Sequence, residues 1–344
     1  MKTSKNAVRL GIDLGKNTFH VFGVDERGEQ VVKRKLRRGQ LLGFLANLPP
    51  TRIGMEACSG AHHWAREIEP LGHEVRLMAV QFVKPYVKGN KNDYNDAEAI
   101  CEAVSRPGMR FVTVKSVEQQ DMQALHRIRQ GAVRARTALG NQIRGLLAEY
   151  GIVVAQQLGQ LRRAIPQILE DAENGLTDFF RALLAQQYEQ LVEWDRRIEG
   201  YDHQIESLFR SHEACGRIAA VEGVGAVGAT ALVAAFGDAR QFASGRQFAA
   251  ALGLVPRQHS TGGKSRLLGI SKRGDRYIRT LLVHGARAVV QAVLAKDKTD
   301  ARSLWIKRLV ADRGKNRATV ALANKNARII WALLTRGETY RVAA

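Results

Sequence analysis

The sequence predicts an α/β domain first, then long central helices with a coiled-coil seam, then a mostly α-helical C-terminal domain. Three observations carry this. Short apolar or alternating runs crowd the first eighty residues at strand length. A helical period of three and four then runs from Val117 to Tyr150 and returns after Leu184. From Gly216 onward, glycine turns separate apolar, alanine-rich segments.

Residues 7–13 read as a buried strand, and Thr18 to Val24 alternates as a second. Glu29 to Leu36 reads as a third strand, reached through the turn Asp25-Glu26-Arg27-Gly28. A helix is expected over Gln40–Leu48, stopped by Pro49-Pro50. Thr51–Glu56 and Glu74–Ala79 read as strands, with helices over Gly60–Leu71 and Asp96–Ser105. Three antiparallel strands followed by alternating helix and strand is the order of a ribonuclease-H-like fold. In that order Asp13 closes the first, central strand and Glu56 closes the fourth. Asp93 and Asp96 are three apart, so they share a face if their helix begins early.

In the long helix, Leu125, Ile128, Ala132, Ala135, Leu139, Ile143 and Leu146 give the apolar stripe, and five arginines decorate it. Pro166 and Gly175 punctuate a connector. Leu191, Trp194, Ile198, Tyr201, Ile205 and Leu208 then mark a short coiled-coil seam. Glu189, Glu193, Glu199 and Glu206 make this helix acidic, so it is expected to meet another helix and not a phosphate backbone. The domains are placed at 1–150, 151–215 and 216–344.

Lys and Arg number 53 against 33 Asp and Glu, a formal net charge of +20. That excess predicts a polyanionic partner with salt-sensitive binding, foremost nucleic acid. Cys58, Cys101 and Cys215 are dispersed and odd in number, which reads as reduced thiols in a cytosolic protein. The N-terminus reads as running straight into a strand without a signal peptide, and no apolar run approaches the roughly 18–20 residues of a membrane span.

Carboxylates gathered on so basic a chain point to a metal facing a polyanion. Asp13, Glu56, Asp93 and Asp96 are the candidates, all oxygen donors of the kind Mg²⁺ prefers. Two such ions can clamp the attacking and leaving oxygens of a phosphodiester exchange.

In the C-terminal domain, Gly223, Gly225 and Gly228 match a dinucleotide fingerprint, but no convincing strand precedes them and no acid follows at the required distance. A glycine turn before a helix starting near Ala226 fits better, and its amides can hold a phosphate, as in a helix–hairpin–helix. A second helix is expected over Gly245–Leu252. The stretch from Gly253 to Arg266 reads as a glycine-bearing loop with Ser260 and Thr261. Between Val255 and Arg287 lie eight Lys or Arg and one acid, Asp275. Among them Arg257, Lys264, Arg266, Lys272, Arg273 and Arg276 are candidate nucleic-acid contacts. A hydroxyl ringed by cations is where a phosphodiester could be attacked, the guanidinium groups stabilising the phosphorane. A serine needs activation, and adjacency in sequence gives no hydrogen bond from His259. The stretch also reads as a polar turn that only binds phosphate. Residues 316–335 form an alanine-rich helix, and the tail Arg336–Ala344 reads as frayed.

These motifs resemble the DEDD transposases of bacterial insertion sequences, more closely the subgroup whose guides are called seekRNAs. The N-terminal matches are Gly11-Ile12-Asp13, Met55-Glu56-Ala57-Cys58 and Lys91-Asn92-Asp93-Tyr94-Asn95-Asp96-Ala97. The C-terminal matches are Gly223-Val224-Gly225, Gly253-Leu254-Val255-Pro256-Arg257, Ser260-Thr261-Gly262-Gly263-Lys264 and Ile270-Ser271-Lys272-Arg273-Gly274-Asp275. Each motif is weak alone, while their order across the chain is specific. The resemblance implies a RuvC-like domain with Asp13, Glu56, Asp93 and Asp96 as Mg²⁺ ligands. It implies Ser260 as the nucleophile of a covalent phosphoserine link, with Thr261 the choice if the alignment slips by one. It also implies a structured non-coding guide RNA that pairs with donor and target double-stranded DNA. With it come a homo-oligomer, dimeric or tetrameric, with composite sites across protomers, and a bacterial cytoplasmic setting without membrane.

Three other functions compete. A metal-dependent junction resolvase or nuclease would use the same acids with water as nucleophile. A sugar-kinase or actin-like ATPase also suits Gly11-Ile12-Asp13-Leu14-Gly15, but the charge and the lack of a second phosphate loop oppose it. A non-catalytic nucleic-acid-binding protein would tolerate acid-to-amide changes.

Overall fold

The computed structural model describes residues 6–89, 92–296 and 298–340. Lys91 of the acidic motif, the first five residues and the last four of the tail read as frayed lie outside them. The chain divides into two compact units between Ser116 and Val117.

The first unit is built on six strands. They are β1 (Arg9–Leu14), β2 (Thr18–Val24), β3 (Gln30–Arg37), β4 (Arg52–Glu56), β5 (Glu74–Met78) and β6 (Phe111–Val112). The order across the sheet is β3-β2-β1-β4-β5-β6. β2 pairs antiparallel with both β1 and β3, whereas β4 is parallel to β1 and to β5. Helices α1 (Leu41–Ala46) and α2 (Ala61–Ile68) cover one face, while α3 (Val80–Val83) and α4 (Asp93–Ala103) belong to the other.

Period-two alternation sorts the side chains. Leu10 and Ile12 of β1, Phe19 and Val21 of β2, and Ile53 and Met55 of β4 pack with Leu41, Leu45, Trp64 and Ile68 beneath α1 and α2. The intervening positions, Gly11, Phe22 and Gly54, face α4. A Cβ on Gly11 would stand 2.1 Å from the Ala97 carbonyl oxygen and 2.4 Å from the Cys101 nitrogen. On Gly54 it would stand 2.9 Å from Val104. Gly11 and Gly54 are cross-strand neighbours in the β1–β4 pair. Together they form the seat that lets α4 lie directly on the sheet.

α4 begins at Asp93 and not at the expected Asp96, because the Asn92 side chain accepts a hydrogen bond from the Tyr94 amide and caps the helix there.

Among its described residues the second unit is helical except for one hairpin. α5 (Val117–Ala148) and α7 (Asp178–Ser211) run antiparallel, tied by Arg129 to Asp202 and by Arg136 to Asp195 at 2.8 Å. The acidic helix thus meets a basic helix of the same chain. After Phe180 near its start, its buried positions are Leu184, Leu191, Ile198 and Ile205, seven residues apart. Between them lies α6 (Leu158–Glu170), where a connector was expected. Pro166 sits inside this helix, since buried Leu161 and Ile165 give it a packed stripe that outweighs one lost backbone bond.

α8 (Glu213–Ala219), α9 (Ala226–Phe236), α10 (Gly245–Ala251), α11 (Arg276–Ala295), α12 (Ala301–Arg313) and α13 (Lys315–Arg336) enclose the second core. Phe248, Leu252, Leu282, Leu322 and Ile330 are among its buried members. α11 has the length and apolar composition of a membrane span, yet Ile278, Leu282, Ala286, Val290 and Val293 place one of its faces in that core.

Between α10 and α11 the expected loop is a two-stranded hairpin, β7 (Pro256–Thr261) and β8 (Lys264–Ile270). Gly262 and Gly263 make its turn, with φ of 55° and 76°. A two-residue hairpin turn needs positive φ at both positions, and glycine supplies it without a Cβ penalty.

Candidate functional site

The acids of the first unit converge through strand parity and the α4 seat. Asp13 follows Ile12, which is paired with Met55, and Glu56 follows Met55. Asp13 and Glu56 therefore project on the same face as Gly11 and Gly54, at the carboxyl ends of neighbouring parallel strands. That edge is where open α/β sheets bind ligands. α4, seated on the two glycines, brings Asp93 and Asp96 in its first turn to the same edge.

The electrostatics agree for three of the four. Burial pushes the Glu56 carboxyl upward, and the negative charges of Asp13 and Asp96 push it further. Asp93 is more exposed and meets His20, its carboxylate 3.5 Å from the Nδ1 of that buried ring. His20 is the cross-strand partner of Asp13 and stacks edge-on against Tyr94, with centroids 4.7 Å apart. The Lys33 ammonium lies 5.1 Å from the other partner of this stack, the Tyr94 ring centroid. Sequence reading passes over His20, although alternation alone puts it on the Asp13 face.

No group of three or more His, Cys, Asp or Glu among the described residues stands close enough to hold a metal unaided. The donor set still suits a hard divalent cation. It is all oxygen, and mutually repelling carboxylates are relieved by a cation between them. Mg²⁺ commonly takes one or two carboxylates and completes its shell with water and substrate phosphate. Cys58 lies beside these acids, its thiol pushed up by partial burial and by the Glu56 charge. His62 accepts a hydrogen bond from the Lys115 amide, and burial lowers its pKa to about 4.

In the second unit the hairpin is exposed along nearly its whole length. Ser260 pairs across it with Ser265 and accepts a hydrogen bond from the Gln258 side-chain amide at 2.8 Å. His259 pairs with Arg266 and points to the opposite face, so it does not contact Ser260. Thr261 is also on that opposite face. Arg257, Lys264, Arg266, Lys272 and Arg273 are exposed on or beside the hairpin.

The glycines at its base have a packing role. A Cβ on Gly253 would lie 2.3 Å from the Arg273 carbonyl oxygen, and one on Gly274 would lie 1.8 Å from that of Ala251. The Arg279 guanidinium donates to the Leu252 and Arg273 carbonyls, and Asp275 caps α11 through the Tyr277 and Ile278 amides. Gly223 and Gly225 lie between α8 and α9, so a helix and not a strand precedes the glycines and the dinucleotide reading falls. Gly223 is needed for packing, since its Cβ would lie 2.8 Å from the backbone of Gly285. Gly225 is exposed at the start of α9.

Both regions match known families. Residues 10–152 match a DEDD transposase family model of the IS110 group, and residues 215–301 match the model described as "Transposase IS116/IS110/IS902 family". A "Probable family 20 transposase" of Pseudomonas aeruginosa is 52% identical over 98% of this chain and 99% of its own length. This chain is a transposase of the IS110/IS116 family. The "Transposase for insertion sequence element IS1111A" of Coxiella burnetii is 48% identical over 100% of the chain and 94% of that relative. The corresponding protein of element IS1328 from Yersinia enterocolitica is 40% identical over 97% and 99%. The transposase is thus an enzyme acting on DNA, and membership of a DEDD family agrees with use of a divalent metal.

Proposed function

We propose that this transposase cuts and rejoins DNA with Mg²⁺ held by Asp13, Glu56, Asp93 and Asp96 and with Ser260 as nucleophile. The observation that carries the reading is the electrostatic meeting of Asp13, Glu56 and Asp96 at one sheet edge. The strand order β3-β2-β1-β4-β5 supports the ribonuclease-H-like, RuvC-like assignment of the first unit. The antiparallel α5–α7 pair, with a buried residue every seventh position of α7, supports the coiled-coil reading.

When bound, Mg²⁺ would neutralise charge developing on the scissile phosphate and its leaving oxygen. The carboxylates fix where that charge is met. Ser260 Oγ forms a bond to phosphorus as the bond from phosphorus to the deoxyribose 3′-oxygen breaks. The serine proton is released, and the departing oxygen takes one up. The phosphoserine link conserves the bond energy, so rejoining needs no nucleotide triphosphate. Arg257, Lys264 and Arg266 on the hairpin, and Lys272, Arg273 and Arg276 after it, supply charge-assisted donors for phosphate. Gly225 offers its exposed backbone at the start of α9.

The resemblance to the seekRNA subgroup and the net charge of +20 support a guide RNA that selects donor and target duplexes. A homo-oligomer working in the bacterial cytoplasm completes this reading. A water-using nuclease draws on one observation: the partner of Ser260 Oγ is the Gln258 amide, which is no base.

The test is covalent capture. The protein is expressed from its intact element with flanking DNA, purified under denaturing conditions and digested for mass spectrometry. A nucleotide on Ser260 is the expected result. A nucleotide on Thr261 moves the role by one residue. Asp13→Asn-sensitive cleavage with no adduct supports the nuclease and sinks the serine. Asp13→Asn is expected to abolish cleavage and leave nucleic-acid binding intact.

A further inference from the structure

We propose that a cleft wholly within the second unit, between α5, α9 and α11, holds the phosphodiester backbone of a single nucleic-acid strand. The cleft has a volume of about 730 Å³. One wall is a continuous stripe of α5: Gln123, Arg127, Gln130 and Arg134. Their spacing of four, three and four residues puts them on one helix face. They extend along about 16 Å of the axis at 1.5 Å per residue. The facing wall is the first turn of α11, with Arg276 and Thr280. The floor is Ala231, Ala234 and Ala235 of α9, whose methyl groups keep the cleft open and give sugar edges an apolar rest.

The charge distribution identifies the ligand. α5 carries its arginines on distinct faces with distinct fates. Arg129 and Arg136 are neutralised by Asp202 and Asp195 of α7. Arg127 and Arg134 face the cleft and form no ion pair with a described residue, and neither does Arg276 opposite. The one acid on the lining, Asp275, already accepts two amide hydrogen bonds as the cap of α11. Three guanidinium groups against one occupied carboxylate leave an excess of positive charge in a concave site. Guanidinium forks match phosphate oxygens in pairs, and the Gln130 amide adds a neutral donor between Arg127 and Arg134.

The cleft is also held rigidly. His126 lies at its base, its ring nitrogens joined to Thr230 Oγ1 at 2.9 Å and to the Tyr277 hydroxyl at 3.0 Å. One buried ring thereby ties the three helices together. Burial and the nearby Arg129 lower its pKa to about 4, so it adds no charge of its own at neutral pH. About 730 Å³ spread along the roughly 16 Å of α5 averages about 7 Å across, the room of one strand and not of a duplex. DNA and RNA strands share the chemistry recognised here.

The test measures binding by the full-length protein to labelled single-stranded DNA and to single-stranded RNA of the same length, by fluorescence anisotropy across a salt series without divalent metal. Cleavage chemistry plays no part, so failure of the serine or metal reading leaves this test unaffected. Arg127→Gln/Arg134→Gln/Arg276→Gln is compared with Arg308→Gln/Arg313→Gln/Lys315→Gln, which removes the same charge from exposed positions on α12 and at the start of α13. At about 0.7 per phosphate contact, the cleft variant is expected to lose about 2 from the slope of log K against log salt. The control is expected to lose much less. Replacing the three cleft arginines by lysine is expected to restore most of the slope, which a folding defect would not permit. Loss confined to DNA or to RNA identifies the source of the strand, and loss for both assigns the shared backbone. Equal slopes for the cleft and control variants, or a cleft variant that binds as the wild type does, overturn the proposal.

Discussion

Gly11→Ala tests whether the glycine seat positions the acids. The new Cβ would stand 2.1 Å from the Ala97 oxygen and 2.4 Å from the Cys101 nitrogen, both main-chain atoms of α4. Neither can rotate away, so α4 must lift by about 1 Å to restore contact distance. Overpacking of this kind costs about 1–3 kcal/mol. Against a typical total of about 5–15 kcal/mol, the first unit stays folded at 25 °C. Displacing reactive groups by about 1 Å, however, costs on the order of 100-fold in rate. The expected result is a modest shift in the denaturation midpoint with a collapse of DNA cleavage. Gly54→Ala should be milder, because its Cβ meets side-chain atoms at 2.9 Å and beyond. Gly43→Ala is the control: nothing lies within 4 Å of its Cβ, and it is an exposed position of α1. It should gain roughly 0.5–1 kcal/mol from helix propensity. A Gly11→Ala protein that cleaves DNA at the wild-type rate would refute the seat.

Glu56→Gln should stabilise the metal-free protein at neutral pH. The folded Glu56 pKa is raised, so the folded chain binds more protons just above the ordinary glutamate value, and stability falls as pH rises through that window. Denaturation midpoints of mutant and wild type should diverge with rising pH, and parallel curves would contradict the coupling. His126 has the opposite sign. Its pKa falls to about 4, so the unfolded chain binds more protons between there and about 6.5, and stability is lost as pH falls through that range. At about 1.4 kcal/mol per unit the loss approaches roughly 3 kcal/mol, and His126→Gln should flatten it in urea titrations. Gly274→Ala places a Cβ 1.8 Å from the Ala251 oxygen at a φ of 76°. It should destabilise the second unit by more than about 2 kcal/mol, read as a lowered melting temperature.

The sheet and its acids are legible because alternation is a local code: Leu10, Gly11, Ile12 and Asp13 already announce which face each occupies. The start of α4 is harder to see. Asp93-Tyr94-Asn95-Asp96 is a poor helix former, and only the Asn92 cap and the glycine seat hold it. The hairpin is hidden because its residues bury almost nothing, so no hydrophobic pattern marks it, although Gly262-Gly263 is a turn signal. In α11 the dense cations draw the eye from Ile278, Leu282, Ala286 and Val290, spaced four apart along the buried face. The cleft is invisible in sequence, since it depends on Arg127 and Arg276 lying across α9 from each other.

The clamped root of the hairpin has a mechanical consequence. Gly253 and Gly274 lock both strand ends to main-chain atoms, while β7 and β8 run outward almost without neighbours. Such an element is a cantilever: stiff where it is anchored, compliant at its far end. Ser260 sits near that end, two residues before the turn glycines. Small deflections there need no rearrangement of the helical core, so Ser260 can shift while its anchorage stays still.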